Sequence, residues 1–215
     1  MKKSKIPTVK DHEVLALLAQ YECPVPLHEV RTRFLGNIAT PSMSAQPLDI
    51  VKDLWGGELP SFDTFEQVNE LIDILINRLW NSLTQHQDRN SPVRLRRIDS
   101  QPTRECLMSI SLMRCQELDG FIEGLFGRQD TLNLPERASN SLERLEELRG
   151  LFSAVEKVAS DDNIEATEKQ IETTLKHLRE LTLKAEKEMH TIILVCVRSR
   201  KQFLSSLPKE RPTFH

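Results

Sequence analysis

The sequence predicts an all-α fold, a multi-helix N-terminal domain followed by a long antiparallel helical hairpin. Three observations carry this. Apolar residues recur three or four positions apart through most of the chain, the period of a helix with one buried face. Only 8 Phe, 2 Trp and 1 Tyr occur in 215 residues, poor material for an aromatic-rich β sandwich. Beyond residue 133 the apolar positions approach a seven-residue repeat on either side of a short polar turn.

Residues 1–10 read as disordered, because Lys and Ser dominate and Pro7 interrupts. The domain at 11–132 begins with a helix from Asp11, as N-cap, to Gln20, with Val14, Leu15, Leu17 and Leu18 as its stripe. Cys23-Pro-Val-Pro26 stops it, since proline lacks an amide donor. A second helix runs to Thr40 with Val30, Phe34, Leu35 and Ile38, and a proline-bounded loop follows. Leu48 to Trp55 offers one or two turns closed by Gly56-Gly57, residues suited to a left-handed cap. After the expected cap at Asp63, a helix continues to about Gln87 through Val68, Leu71, Ile72, Leu75, Leu79 and Leu83. Residues 88–104 read as irregular, a helix is expected from Arg104 to Cys115, and a shorter one from Gln116 to Phe126 stopping at Gly127.

Asn133-Leu-Pro135 reads as the linker to the hairpin at 133–207. Its first helix, Ser139 to Ala159, carries Leu142, Leu145, Leu148, Leu151, Phe152, Val155 and Val158, Asp161-Asp-Asn163 turns the chain, and its second extends from Ile164 to about Leu204. A tail fills 208–215. The helices are about 21 and 41 residues long, roughly 32 and 61 Å at 1.5 Å per residue, so they cannot cover one another. Ile192, Ile193 and Val197, on the surplus of the longer helix, are therefore expected to pack on the first domain and also on a protein partner or a second copy of the chain.

Charge narrows the function. The net charge of −3 provides no overall basic field for nucleic acid or anionic membrane. The longest apolar run, Ile192 to Val197, is far below the about 20 residues needed to cross a bilayer. Asp11, His12 and Glu13 stand where a secretion signal would be apolar, and the four cysteines form no CxxC pair; both features point to reduced thiols in the cytoplasm. None of the six histidines builds HExxH or a Cys-His cluster, and the chain has no Walker loop, GxSxG or GxGxxG, so neither cofactor nor catalytic residue is assigned.

Two charged segments remain. The acids at 53–73 (Asp53, Glu58, Asp63, Glu66, Glu70 and Asp73) have no Lys or Arg among them, and Glu117, Asp119 and Glu123 lie close together in sequence. They read as a solvated or docking face, with a metal-dependent enzyme as the alternative. Opposite in sign are Arg89, Arg94, Arg96, Arg97 and Arg104 around two prolines, and Arg198, Arg200 and Lys201 near the end of the last helix. No Tyr, Trp or Phe interleaves the first group to stack bases, which favours protein docking over nucleic acid. Arg94, Arg96, Arg97, Arg198, Arg200 and Lys201 join Ile192, Ile193 and Val197 as candidate partner-binding residues.

Finally, Phe34-Leu-Gly36, Leu54-Trp-Gly-Gly-Glu58, Phe62, Leu79-Trp80-Asn81 and Leu118-Asp-Gly-Phe-Ile-Glu-Gly-Leu125 resemble, in order and spacing, the bacterial YecA/YgfB-like family over residues 12–127. The resemblance implies an all-helical domain without established enzymatic activity, some members acting through protein contacts in gene regulation. Trp55 and Trp80 are expected as core anchors. Relatives with a zinc-binding tail carry a cysteine-rich C-terminal motif, which this chain lacks after Cys196, so zinc is not carried over. The expected function is a non-enzymatic interaction module, with a nucleic-acid-binding regulator as the rival.

Overall fold

The computed structural model describes residues 9–43, 46–98 and 101–206, and every regular element in them is helical. The readings of 1–8 and of 207–215 fall outside the described residues. The order is α1 (Asp11–Gln20), α2 (Leu27–Ala39), α3 (Pro47–Asp53), α4 (Phe65–Ile72), a π-helical segment (Asp73–Trp80), the single turn α5 (Asn81–Leu83), a 3-10 turn (Thr84–Gln87), α6 (Arg104–Phe126), α7 (Glu136–Ser160) and α8 (Glu168–Ser206).

Caps explain where the expected boundaries move. Lys10, not Asp11, holds the N-cap position of α1, with the Glu13 carboxylate accepting from its amide at 2.8 Å. Thr64 rather than Asp63 caps α4, its hydroxyl accepting from Gln67 N–H. A reciprocal pairing of Thr167 with Gln170 starts α8 at Glu168, later than the expected Ile164. The two helices expected on either side of Cys115 are one, α6, because nothing there breaks a helix and both halves bury residues.

Two apolar cores meet at α2. One gathers Val14 and Leu17 of α1, Val30 and Phe34 of α2, Leu54 after α3, and Leu71, Leu75 and Leu79 from α4 and the π segment. The other takes Leu35 and Ala39 from α2, Val93 and Leu95, and then the interior of α6, α7 and α8, with Phe121, Phe152 and Met189 at its centre. Helices before and after residue 133 thus share this second core, and the 127–135 connection is a loop between packed helices.

Packing is most extensive between α2 and α6, and glycine permits it. A Cβ on Gly124 would stand 1.9 Å from the Arg33 carbonyl oxygen, and one on Gly36 2.1 Å from that of Phe121, so each helix presses its backbone into the other. The Phe34-Leu-Gly36 and Gly120-to-Gly124 segments are therefore the two halves of one helix crossing.

The surplus of α8 is not left over for a partner. Ile192 and Ile193 are 0% exposed and Val197 4%, all in the second core. α2, α6 and the 3-10 turn pack on α8 where α7 does not reach. Ile192 and Ile193 are interior of the single chain, packed with the first domain as one of the two expected contacts, which corrects their expected place in an intermolecular contact; Val197 is core too but shows an edge to the groove described below. The tryptophans are half-buried rather than fully enclosed, and each donates its indole N–H: Trp55 to the Tyr21 carbonyl at 2.8 Å, Trp80 to Asn37 Oδ1 at 3.0 Å.

Candidate basic groove and the arginine strap

Residues 92–98 form a strap without helix, laid over α6 and α8. Val93 and Leu95 are buried and the three arginines point outward, a two-residue alternation that anchors the segment. Two carboxylates grip it. Glu186 on α8 accepts from Arg94 Nη1 at 2.7 Å and from the Leu95 amide at 2.9 Å. Glu117 on α6 accepts from the Arg96 amide at 3.3 Å. Arg114 completes the clamp, donating to the Arg96 carbonyl at 2.6 Å, to Thr182 Oγ1 at 3.1 Å and to Glu117. Burial pushes the Glu117 carboxyl up from its ordinary value, although Arg114 beside it pulls the other way.

The sequence-selected cations therefore separate by task. Arg96 is held through its backbone, Arg94 by Glu186, and Arg97 stands exposed at the edge of a cavity between the strap, α6 and α8. Arg104 donates to the carbonyls of Ala159 and Asp161, capping α7. Arg200 does the same for α2, reaching the Thr40 carbonyl at 2.9 Å and that of Ile38 at 3.3 Å. Its guanidinium is thus a structural bracket and not a docking group, which corrects its place among the partner-binding candidates.

Arg198 and Lys201 are exposed and lie together with residues that the sequence does not place near them. A groove of ≈ 650 Å³ along the last third of α8 is lined by Arg89, Arg137, Arg198 and Lys201. Thr191, Leu194, Val195 and Val197 form its floor, and among the described residues no carboxylate lines it. Arg89 comes from the loop before the strap and Arg137 from the first turn of α7. The groove therefore concentrates four positive charges from three segments in a molecule whose net charge is −3.

The acids do the reverse. Asp53 of the 53–73 run pairs with Arg128 at 3.0 Å, while Asp119 and Glu123 of the second acidic group pair with Arg149 at 3.0 Å and Arg33 at 2.6 Å, so these carboxylates go to separate guanidiniums. Among the described residues no three His, Cys, Asp or Glu side chains gather where they could hold a metal ion. The four cysteines are free, and burial pushes the Cys196 thiol up to about 11. His28 Nε2 lies 2.9 Å from Gln116 Oε1 and His86 Nδ1 2.8 Å from the Ser91 carbonyl. His190 is half-buried, and both of its ring nitrogens are enclosed.

Sequence reasoning missed the Glu117–Arg114–Glu186 clamp. A signal was present: Glu186 falls on the same buried stripe as Leu175, Leu178, Met189 and Ile193, and a carboxylate there requires a partner. Among the described residues no helix is long and apolar enough to cross a membrane. No family model, curated protein or solved structure matches the chain.

Proposed function

We infer that the protein is a non-enzymatic interaction module of adaptor or regulatory type, acting in the cytoplasm, whose basic groove takes an acidic segment of a partner protein. The observation that carries this is the convergence of Arg89, Arg137, Arg198 and Lys201 on one groove without a carboxylate among its described lining residues. Such a surface attracts an acidic segment over distances of about a Debye length, and the apolar floor supplies the short-range contact. The resemblance to the YecA/YgfB-like family belongs to the same proposal. Of its quoted glycines, Gly36, Gly120 and Gly124 serve the α2–α6 crossing, Gly56 and Gly57 take positive φ in the turn after α3, and its tryptophans hold neighbouring backbone and side-chain groups, all of which are structural tasks.

Nucleic acid is the rival, because phosphates seek the same cations; among the described residues the groove lining offers no aromatic ring for a base to stack on. Fluorescence anisotropy with a Glu-rich amphipathic peptide, a single-stranded RNA and a duplex DNA separates the two. The expected result is peptide binding that weakens with salt and is lost in Arg198→Glu with Lys201→Glu. Tighter binding of RNA or DNA, with a steep salt slope that the same substitutions flatten, would replace the protein-docking reading.

A further inference from the structure

The cavity beside Arg97 has a different chemistry from the groove and shares no lining residue with it. It encloses ≈ 380 Å³ between the strap, α6 and α8. Ile98, Ile110, Leu175, Leu178 and Leu183 give it an aliphatic wall, and Arg94, Arg97, Arg114 and Arg179 its cations. Among the described residues Glu186 is its lining acid and Glu117 sits on Arg114; even with Arg179 set aside, three described guanidiniums stand against these two carboxylates. Leu183 is 60% exposed here, an apolar side chain open to water at the edge of the cavity.

An aliphatic wall beside guanidiniums suits a ligand that is apolar along its body and anionic at one end. The wall removes water from the ligand's tail, and partly desolvated guanidiniums bind a carboxylate or phosphate through charge-assisted hydrogen bonds. The volume lies at the lower end of the about 300–1,000 Å³ usual for small-molecule sites, the right scale for one chain and too small for a two-chain lipid. We propose that this cavity binds a free single-chain amphiphilic anion, its carboxylate or phosphate head at Arg97 and its aliphatic body along Ile98, Ile110, Leu175 and Leu183.

Calorimetric titration of the full chain with decanoate, decyl phosphate and decanol, each below its micelle concentration, tests this directly. Saturable one-to-one binding of an anion is expected, and the stronger of the two identifies the head. Decanol should bind about tenfold or more weakly, as loss of a charge-assisted contact implies. Arg97→Glu and, separately, Leu183→Asp alter exposed side chains, so helical circular dichroism should stay at the wild-type level while anion binding falls by about tenfold or more. Arg198→Glu, in the other groove, should leave it unchanged. Absence of saturable binding by either anion, decanol binding as tightly as the anions, or undiminished binding in both variants overturns the proposal. Binding seen only with phosphatidylglycerol vesicles overturns it as well, since the surface would then be a membrane contact.

Discussion

Arg200 reaches across 160 positions of sequence to close the end of α2 on the Thr40 carbonyl. The last carbonyls of a helix have no partner within it, and a half-buried guanidinium with two donors aimed at them replaces the water they lose. Arg200→Ala should therefore cost about 1.5–3 kcal/mol in urea unfolding, as loss of a hydrogen bond to a charged group does. Arg198→Ala, two residues away and exposed, should change stability by less than about 0.5 kcal/mol. Equal effects would show that Arg200 is not the bracket described.

The α2–α6 crossing gives a pair of opposite expectations from one kind of substitution. At Gly124 the added methyl meets the Arg33 backbone, which cannot rotate away, so Gly124→Ala should destabilise by about 3 kcal/mol or more. Gly150 lies exposed within α7, and a methyl added there would have nothing within 4 Å of it. Gly150→Ala should therefore stabilise by about 0.5–1 kcal/mol through helix propensity. Thermal melts of the two variants, followed at the helical circular dichroism band, check both signs.

Ile193 tests where the end of α8 packs. Its side chain is enclosed in the second core, so Ile193→Asp should unfold the chain, lowering stability by about 4 kcal/mol or more through an unpaired buried charge. Sedimentation of a well-folded Ile193→Asp chain at reduced mass relative to wild type would instead restore the interface reading.

His190 sets a pH dependence. Burial lowers its imidazole below the ordinary 6.5, a hydrogen bond with the Arg89 backbone opposes this in part, and His86 and Arg94 add to the lowering. The unfolded chain then binds a proton that the folded chain refuses, so stability is full above about pH 6.5 and falls as pH drops through 6.5 toward the lowered folded value. Unfolding midpoints measured between about pH 7.5 and 5.5 should decline, and His190→Leu should flatten that decline.

How much of this was legible depended on whether a residue acts locally. Periodicity located the helices because burial of Leu71, Leu75 and Leu79 is written at three-to-four spacing, and Gly127 marked the end of α6 correctly. The π segment left no such trace, since its widened turn buries Ile74, Leu75 and Leu79 at spacings that an ordinary helix also shows. Charge was harder to read. Arg94, Arg97, Arg104, Arg198 and Arg200 look alike in sequence, yet one grips Glu186, two cap helices, and two face open cavities. Only the tertiary partner, 55 to 160 positions away, tells the helix caps from the groove cations. Arg137 escaped notice for the same reason, because nothing in its own neighbourhood marks it as part of the basic groove.

The two faces of α2 also bear on how the chain assembles during synthesis. Val30 and Phe34 meet α1, α3 and the π segment, all encoded nearby, so that half of the molecule can condense early. Leu35 and Ala39 on the same helix wait for α6 and α8, the last of which ends at Ser206. Until then the nascent chain displays an apolar stripe with the glycine notch of Gly36 open beside it. Docking of the late helices onto that stripe closes contacts between segments far apart in sequence, the kind that form slowly, and leaves the stripe open to other apolar surfaces in the meantime.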